Sequence, residues 1–203
     1  MARARAVVMG PRRLGALAVL LVALGGCAGR DFARPPADSL SLGKTTEREI
    51  RQRFGDPYRQ GTVLRNGETM KTLTYAYAAG AGSLAGGLTP SRGVGFYFWN
   101  EVLVGHEFTS SFEEDRTDFD VTKVPQIRKG ETTEAAVTTL LGPAPGGYIH
   151  PMIADKTARA LVYLYAQTRG SAFGLKHYQQ MLVVTIGPTG VVSDVQLTTS
   201  GER

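Results

Sequence analysis

The segment GKTTEREIRQRFGDP, at residues 43–57, is echoed 87 positions later as GETTEAAVTTLLGPA, at residues 130–144. Gly43, Thr45, Thr46, Glu47, Ile50, Phe54 and Gly55 fall on Gly130, Thr132, Thr133, Glu134, Val137, Leu141 and Gly142. No other feature restricts the fold as tightly, because a phrase used twice points to a duplicated unit. Each copy predicts a short helix. Thr46 followed by Glu49 fits a capping box, in which hydroxyl and carboxylate satisfy orphan donors of the first turn. Ile50 and Phe54 form a narrow apolar stripe, and Gly55 with Pro57 stops it. In the second copy Thr132 or Thr133 caps, Val137, Leu140 and Leu141 form the stripe, and Gly142-Pro143 ends it. A helix of about nine residues does not hold in water alone. Each must lie on something.

The chain offers β-structure for that purpose. Residues 62–65 run into Asn66-Gly67, a strong hairpin signal, and then into MKTLTYAYA at residues 70–78. Residues 93–112 read as two strands turning near Asn100-Glu101. RALVYLYAQ, at residues 159–167, sets Leu161, Tyr163 and Tyr165 where Leu73, Tyr75 and Tyr77 stood, and residues 180–200 read as a hairpin turning at residues 188–190. The expected fold class is therefore α+β: two tandem repeats, each a short helix or helix-turn-helix on a sheet of three to four antiparallel strands. Residues 39–112 and 126–200 are the expected repeats, with residues 113–125 an acidic, solvated linker.

Residues 1–13 are basic and lack acids, and LGALAVLLVAL follows at residues 14–24. That run is short of the roughly 20 residues a membrane span needs, so it reads as an export signal over residues 1–26. With the signal removed, 19 basic and 18 acidic residues remain, a net charge of +1. The pI near 9.5 belongs largely to the leader, and no basic patch argues for nucleic acid. Cys27 is the single cysteine, which excludes disulfides and thiolate zinc ribbons in the exported chain. Residues 27–38, polar and containing Pro35-Pro36, read as a tether.

Two resemblances follow from these residues. LGGC at residues 24–27 resembles the lipobox of bacterial lipoproteins, which implies cleavage between Gly26 and Cys27 and fatty acylation of the Cys27 thiol. Ala28 is not the aspartate of an inner-membrane retention signal, which implies the outer membrane, facing the periplasm. The echoed phrase and its aromatic strands resemble the SmpA/OmlA (BamE-like) group of small outer-membrane lipoproteins. Its best-known member belongs to the β-barrel assembly machine, and the tandem arrangement resembles β-lactamase inhibitor protein. That assembly-machine lipoprotein is similar to one repeat, whereas this chain has two. No stretch matches that family's contact positions, so none is carried over. The resemblance implies a non-catalytic protein-interaction module in outer-membrane protein assembly or envelope integrity, with the β-barrel assembly machine as partner. An inhibitor-like protein binding a periplasmic enzyme and an envelope enzyme using His150 or His177 are the alternatives.

Catalytic, cofactor and metal motifs are not found. His106, His150 and His177 stand far apart with no acid or cysteine at ligand spacing. GKTT at residues 43–46 lacks the upstream glycine of a phosphate loop, and its echo replaces Lys44 with Glu131. GAGSLAGG, at residues 80–87, leads into Leu88-Thr89-Pro90 rather than a helix and reads as a loop, with a mobile or membrane-dipping contact as the alternative. The candidate partner-binding residues are Tyr75, Tyr77, Trp99, Tyr163 and Tyr165. Two readings stand for the aromatic rows: core packed under the short helices, which is favoured, or a recognition surface on an open sheet face.

Overall fold

A computed structural model describes residues 29–79, 87–171 and 174–202. Gly26 and Cys27 lie outside the described residues, as do residues 80–86 of the glycine-rich loop. The chain forms α1 (Glu47–Phe54), β1 (Arg59–Arg65), β2 (Glu68–Ala78), β3 (Leu88–Thr89), β4 (Ser91–Trp99) and β5 (Val102–Ser110). It continues with α2 (Glu134–Leu141), β6 (Gly146–Ile149), β7 (Arg159–Ser171), β8 (Gly174–Ile186) and β9 (Val192–Gly201). Among the described residues no helix is long and apolar enough to cross a membrane.

The echoed phrase is built nearly the same way twice. The Thr46 hydroxyl accepts from the Glu49 amide at 3.3 Å, and the Glu49 carboxylate accepts from the Thr46 amide at 2.7 Å. At α2 only the first half of that box exists, the Thr133 hydroxyl accepting from the Ala136 amide at 3.2 Å. The residues ahead of each cap form a ledge. Gly43 donates to the Leu103 carbonyl and Leu103 returns a bond to Thr45, each 2.8 Å; Gly130, Val192 and Thr132 do the same at 2.8 Å. Gly-x-Thr-Thr is thus a tight turn, its glycine at φ 77° in one copy and 78° in the other, whose second threonine bridges to a strand before the helix begins.

The expectation of two helix-on-sheet repeats is overturned. There is one antiparallel sheet, strongly curled into a half-barrel, with strand order β1-β2-β4-β5-β6-β7-β8-β9 and β3 added to β7. The decisive pairing is β5 with β6, where Gly105 meets Tyr148 and His106 meets Gly147. Two separate sheets would have left β5 and β6 as edges with unpaired backbone groups. Joining them satisfies those groups. The approach is close: a Cβ on Gly105 would come within 2.7 Å of the Tyr148 ring, and one on Gly146 within 2.5 Å of the His106 carbonyl oxygen. Strand twist accumulates across so many strands, and bulges at Tyr97/Phe98 and Thr185/Ile186 add to it. The result is a curl instead of two flat layers.

Both helices lie on the same sheet face, over separate clusters. Ile50 and Phe54 of α1 cover Leu73, Tyr75, Phe96, Phe98 and Phe108. Val137 of α2 covers Tyr163, Leu182, Val184, Ile186 and Val192. Fully burying one such side chain contributes about 1.5–3 kcal/mol, more than the helices gain from their caps.

Two segments expected to be solvated are packed. Phe32, in the expected tether, lies 6.1 Å from the Phe54 ring at 78°, and its carbonyl accepts from Arg92 at 2.9 Å. Phe119, in the expected acidic linker, is buried 5.8 Å from the Tyr163 ring, and its carbonyl accepts from Gln180 at 2.8 Å. Asp31-Phe32 and Asp118-Phe119 stand 87 residues apart, so the echo reaches further upstream than its longest words suggest. Arg92 and Gln180, both buried on a strand, receive the two Asp-Phe pairs.

Candidate functional site

The strand alternation that turns Phe96 and Phe98 toward α1 turns Tyr97 to the opposite face. Tyr148, Ala160 and Val162 lie on that face too, with Met152, Ile153, Met181 and Val183 half-buried around them. This face carries neither helix. At its centre, over the β5–β6 joint, Glu107 accepts from two phenols. The Tyr97 hydroxyl donates to Glu107 Oε1 at 2.7 Å, and the Tyr148 hydroxyl donates to Oε2. The two rings meet edge to face, 5.9 Å apart at 88°. Burial first, and then the charge of Glu107, push both phenols well above the ordinary tyrosine range. They therefore keep their protons at physiological pH and act as donors. Gly95 underlies this knot, its missing Cβ leaving 3.4 Å to the Glu107 side chain. The arrangement is a polar pin in an apolar, glycine-lined patch, suited to contact rather than proton transfer.

The residues selected from sequence are placed differently. Tyr75, Tyr163 and Tyr165 are buried. The Tyr75 hydroxyl donates to the Gly55 carbonyl at 3.0 Å and the Tyr163 hydroxyl to the Gly142 carbonyl at 2.9 Å. Each phenol thus ties the end of a helix to the sheet beneath it. Burial, with the charge of Glu134 as the lesser cause, pushes the Tyr163 phenol up to about 12. Tyr165 donates to the Gln167 side chain at 2.9 Å, under the Arg116 guanidinium. These three rings are covered by the fold itself. Tyr77 and Trp99 are half-buried: Tyr77 stacks on Phe112 at 5.9 Å and 9°, and the Trp99 indole donates to Glu68 at 3.2 Å. The five do not form one surface. Tyr97 and Tyr148 were missed, although Tyr97 sits between Phe96 and Phe98, where a period of two must send it the other way.

The histidines stand on separate elements. His106, on β5, is half-buried near Arg34, and loss of solvent followed by that cation lowers it to about 4, so it is neutral at neutral pH. The His150 ring packs against Trp99 at 6.0 Å. His177, on β8, meets the Thr168 hydroxyl at 3.0 Å. Compared with known protein families, curated proteins and solved structures, the chain matches none.

Proposed function

We propose that this chain is a lipid-anchored periplasmic protein of the outer membrane, acting as a non-catalytic protein-interaction module in outer-membrane protein assembly or envelope integrity. The observation that supports the interaction reading is the makeup of the helix-free face. Tyrosine and methionine are enriched in protein interfaces and unpaired charge is disfavoured at their centres. Half-buried Tyr97, Met152 and Met181 supply the first, with Tyr148 buried beneath them, and Glu107 is matched by two donors before any partner arrives. A partner could cover the patch without stranding a charge. The anchor reading rests on the basic leader, its apolar run and LGGC at residues 24–27. The family resemblance supplies the partner class, the β-barrel assembly machine. An anchored module also meets a membrane partner at raised local concentration.

The test is site-specific photocrosslinking in cells, with the probe at Met181 on the proposed face and at exposed Thr139 on α2 as control. Recovery of assembly-machine components at Met181 alone is the expected result. Recovery of a soluble periplasmic enzyme instead moves the assignment to the inhibitor-like alternative. Equal labelling at both positions, or none, overturns the face as a contact surface.

A further inference from the structure

The segment that follows the acylation position is held against the domain almost from its first residue. The Ala76 carbonyl oxygen stands only 2.0 Å from where a Cβ on Gly29 would be. Asp31 lies 3.5 Å from the Arg92 guanidinium, which also donates to the Phe32 carbonyl at 2.9 Å. The Phe32 ring packs on Phe54, and Arg34 lies over Phe108 at 5.5 Å. Only two residue steps separate Cys27 from Gly29, a reach of about 7 Å. An acyl chain on Cys27 would therefore bring the α1 end of the molecule to the bilayer surface.

We propose that the protein does not swing on a tether but rests with its α1 end against the membrane, its occupant being phospholipid headgroups. The proposal rests on the lipoprotein reading above. The docked segment borders a cleft of about 400 Å³ whose walls include Arg30, Arg34, Arg53, Phe54 and Tyr58. Tyr58 is 67% exposed, an amphipathic ring of the kind that settles at headgroup level. Arg30 and Arg53 are exposed, with Arg53 reaching the Ser39 carbonyl at 3.5 Å. The cleft's three arginines face two acids, Asp31 and Asp56, and Asp31 shares Arg92 with Glu114 and Asp115. The balance favours anionic headgroups. On this arrangement β1 is near the membrane, β9 at the other edge of the sheet is far from it, and the helix-free face is turned sideways for a partner.

The test uses the full lipidated protein in vesicles of phosphatidylethanolamine and phosphatidylglycerol carrying a headgroup nitroxide. A fluorophore is attached in Tyr58→Cys and, separately, in Thr198→Cys on β9, the native cysteine being acylated. Quenching at position 58 should exceed that at position 198 several-fold. Insertion of about ten Gly/Ser residues after Ala28 should erase the difference by freeing the domain. Equal quenching at both positions in the acylated protein overturns the orientation while leaving the anchor intact. Absence of acyl mass on Cys27, with the chain recovered in the soluble fraction, overturns the anchor and this inference together.

Discussion

At the α1 end, Ile50 rests among phenylalanines and a tyrosine, Phe54, Tyr75, Phe96, Phe98 and Phe108, with Phe32 at the margin. At the α2 end, Val137 rests mainly on aliphatic strand residues, Leu182, Val184, Ile186 and Val192, with Tyr163 and Phe119 as the aromatic contribution. The helices share cap, ledge and length, yet neither could sit over the other's cluster without leaving gaps or clashes. A short phrase can therefore specify a helix and the backbone bonds that lead into it while the surface beneath it diverges. The cover differs as well. The α1 end is closed by Phe32, which lies ahead of the helix it covers by 15 residues or more, and the α2 end by Phe119, from the stretch between β5 and α2.

That difference gives the largest expected effect. Phe119 is buried and Phe32 half-buried, so Phe119→Ala should cost about 4 kcal/mol and Phe32→Ala about 2 kcal/mol. Urea unfolding of the purified proteins measures both. If Phe32→Ala were silent, the N-terminal segment would not be part of the α1 core.

A second contrast is acid sensitivity. His106, at the α1 end, takes up no proton until about pH 4 in the folded protein, whereas an unfolded histidine titrates near 6.5. Between those values the unfolded state binds more protons, so stability is full above about pH 6.5 and falls as pH drops toward 4. The wild type should lose up to about 3 kcal/mol more than His106→Gln over that window. Parallel pH profiles of the two proteins would show the histidine uninvolved.

The paired phenols should behave alike. Tyr75→Phe and Tyr163→Phe each remove one hydrogen bond to a helix-terminal carbonyl and should each cost about 1 kcal/mol. A double mutant that merely adds the two costs would show that the ends are energetically independent; coupling would show that the shared sheet transmits strain. The smallest effect separates the caps. Thr46→Ala loses a full capping box and should cost about 1 kcal/mol, whereas Thr133→Ala loses one hydroxyl bond and should cost about 0.5 kcal/mol. Thermal midpoints would resolve the pair.

Much of the local structure was legible. Alternation and turn residues located much of β1, β2, β4, β5, β7, β8 and β9, with Asn66 at φ 49° and Asn100 at φ 50° making the hairpin turns that their side chains favour. β6 escaped because GGYI is too short and too rich in glycine to carry a pattern. The candidate site was less legible. Tyr75, Tyr163 and Tyr165 repeat conspicuously, but their repetition records the packing of two helices. Glu107 brings together Tyr97 of β4 and Tyr148 of β6, which stand 51 residues apart and meet only where the sheet closes. The Asp-Phe pairs were legible and overlooked, since two residues inside stretches rich in charge and proline carry no periodicity.

By itself the sequence determined what depends on neighbours a few residues away: the caps, the stripes, the stops and the hairpin turns. Those choices are settled by backbone propensity and by hydrogen bonds within one turn. Only the tertiary structure decided that the strands join as one curled sheet. Pairing β5 with β6 depends on two edges finding each other across 35 residues of intervening chain, between Ser110 and Gly146. Hydrophobic patterning says which side of a strand is buried, but an open edge looks the same in sequence whether it ends a sheet or continues one.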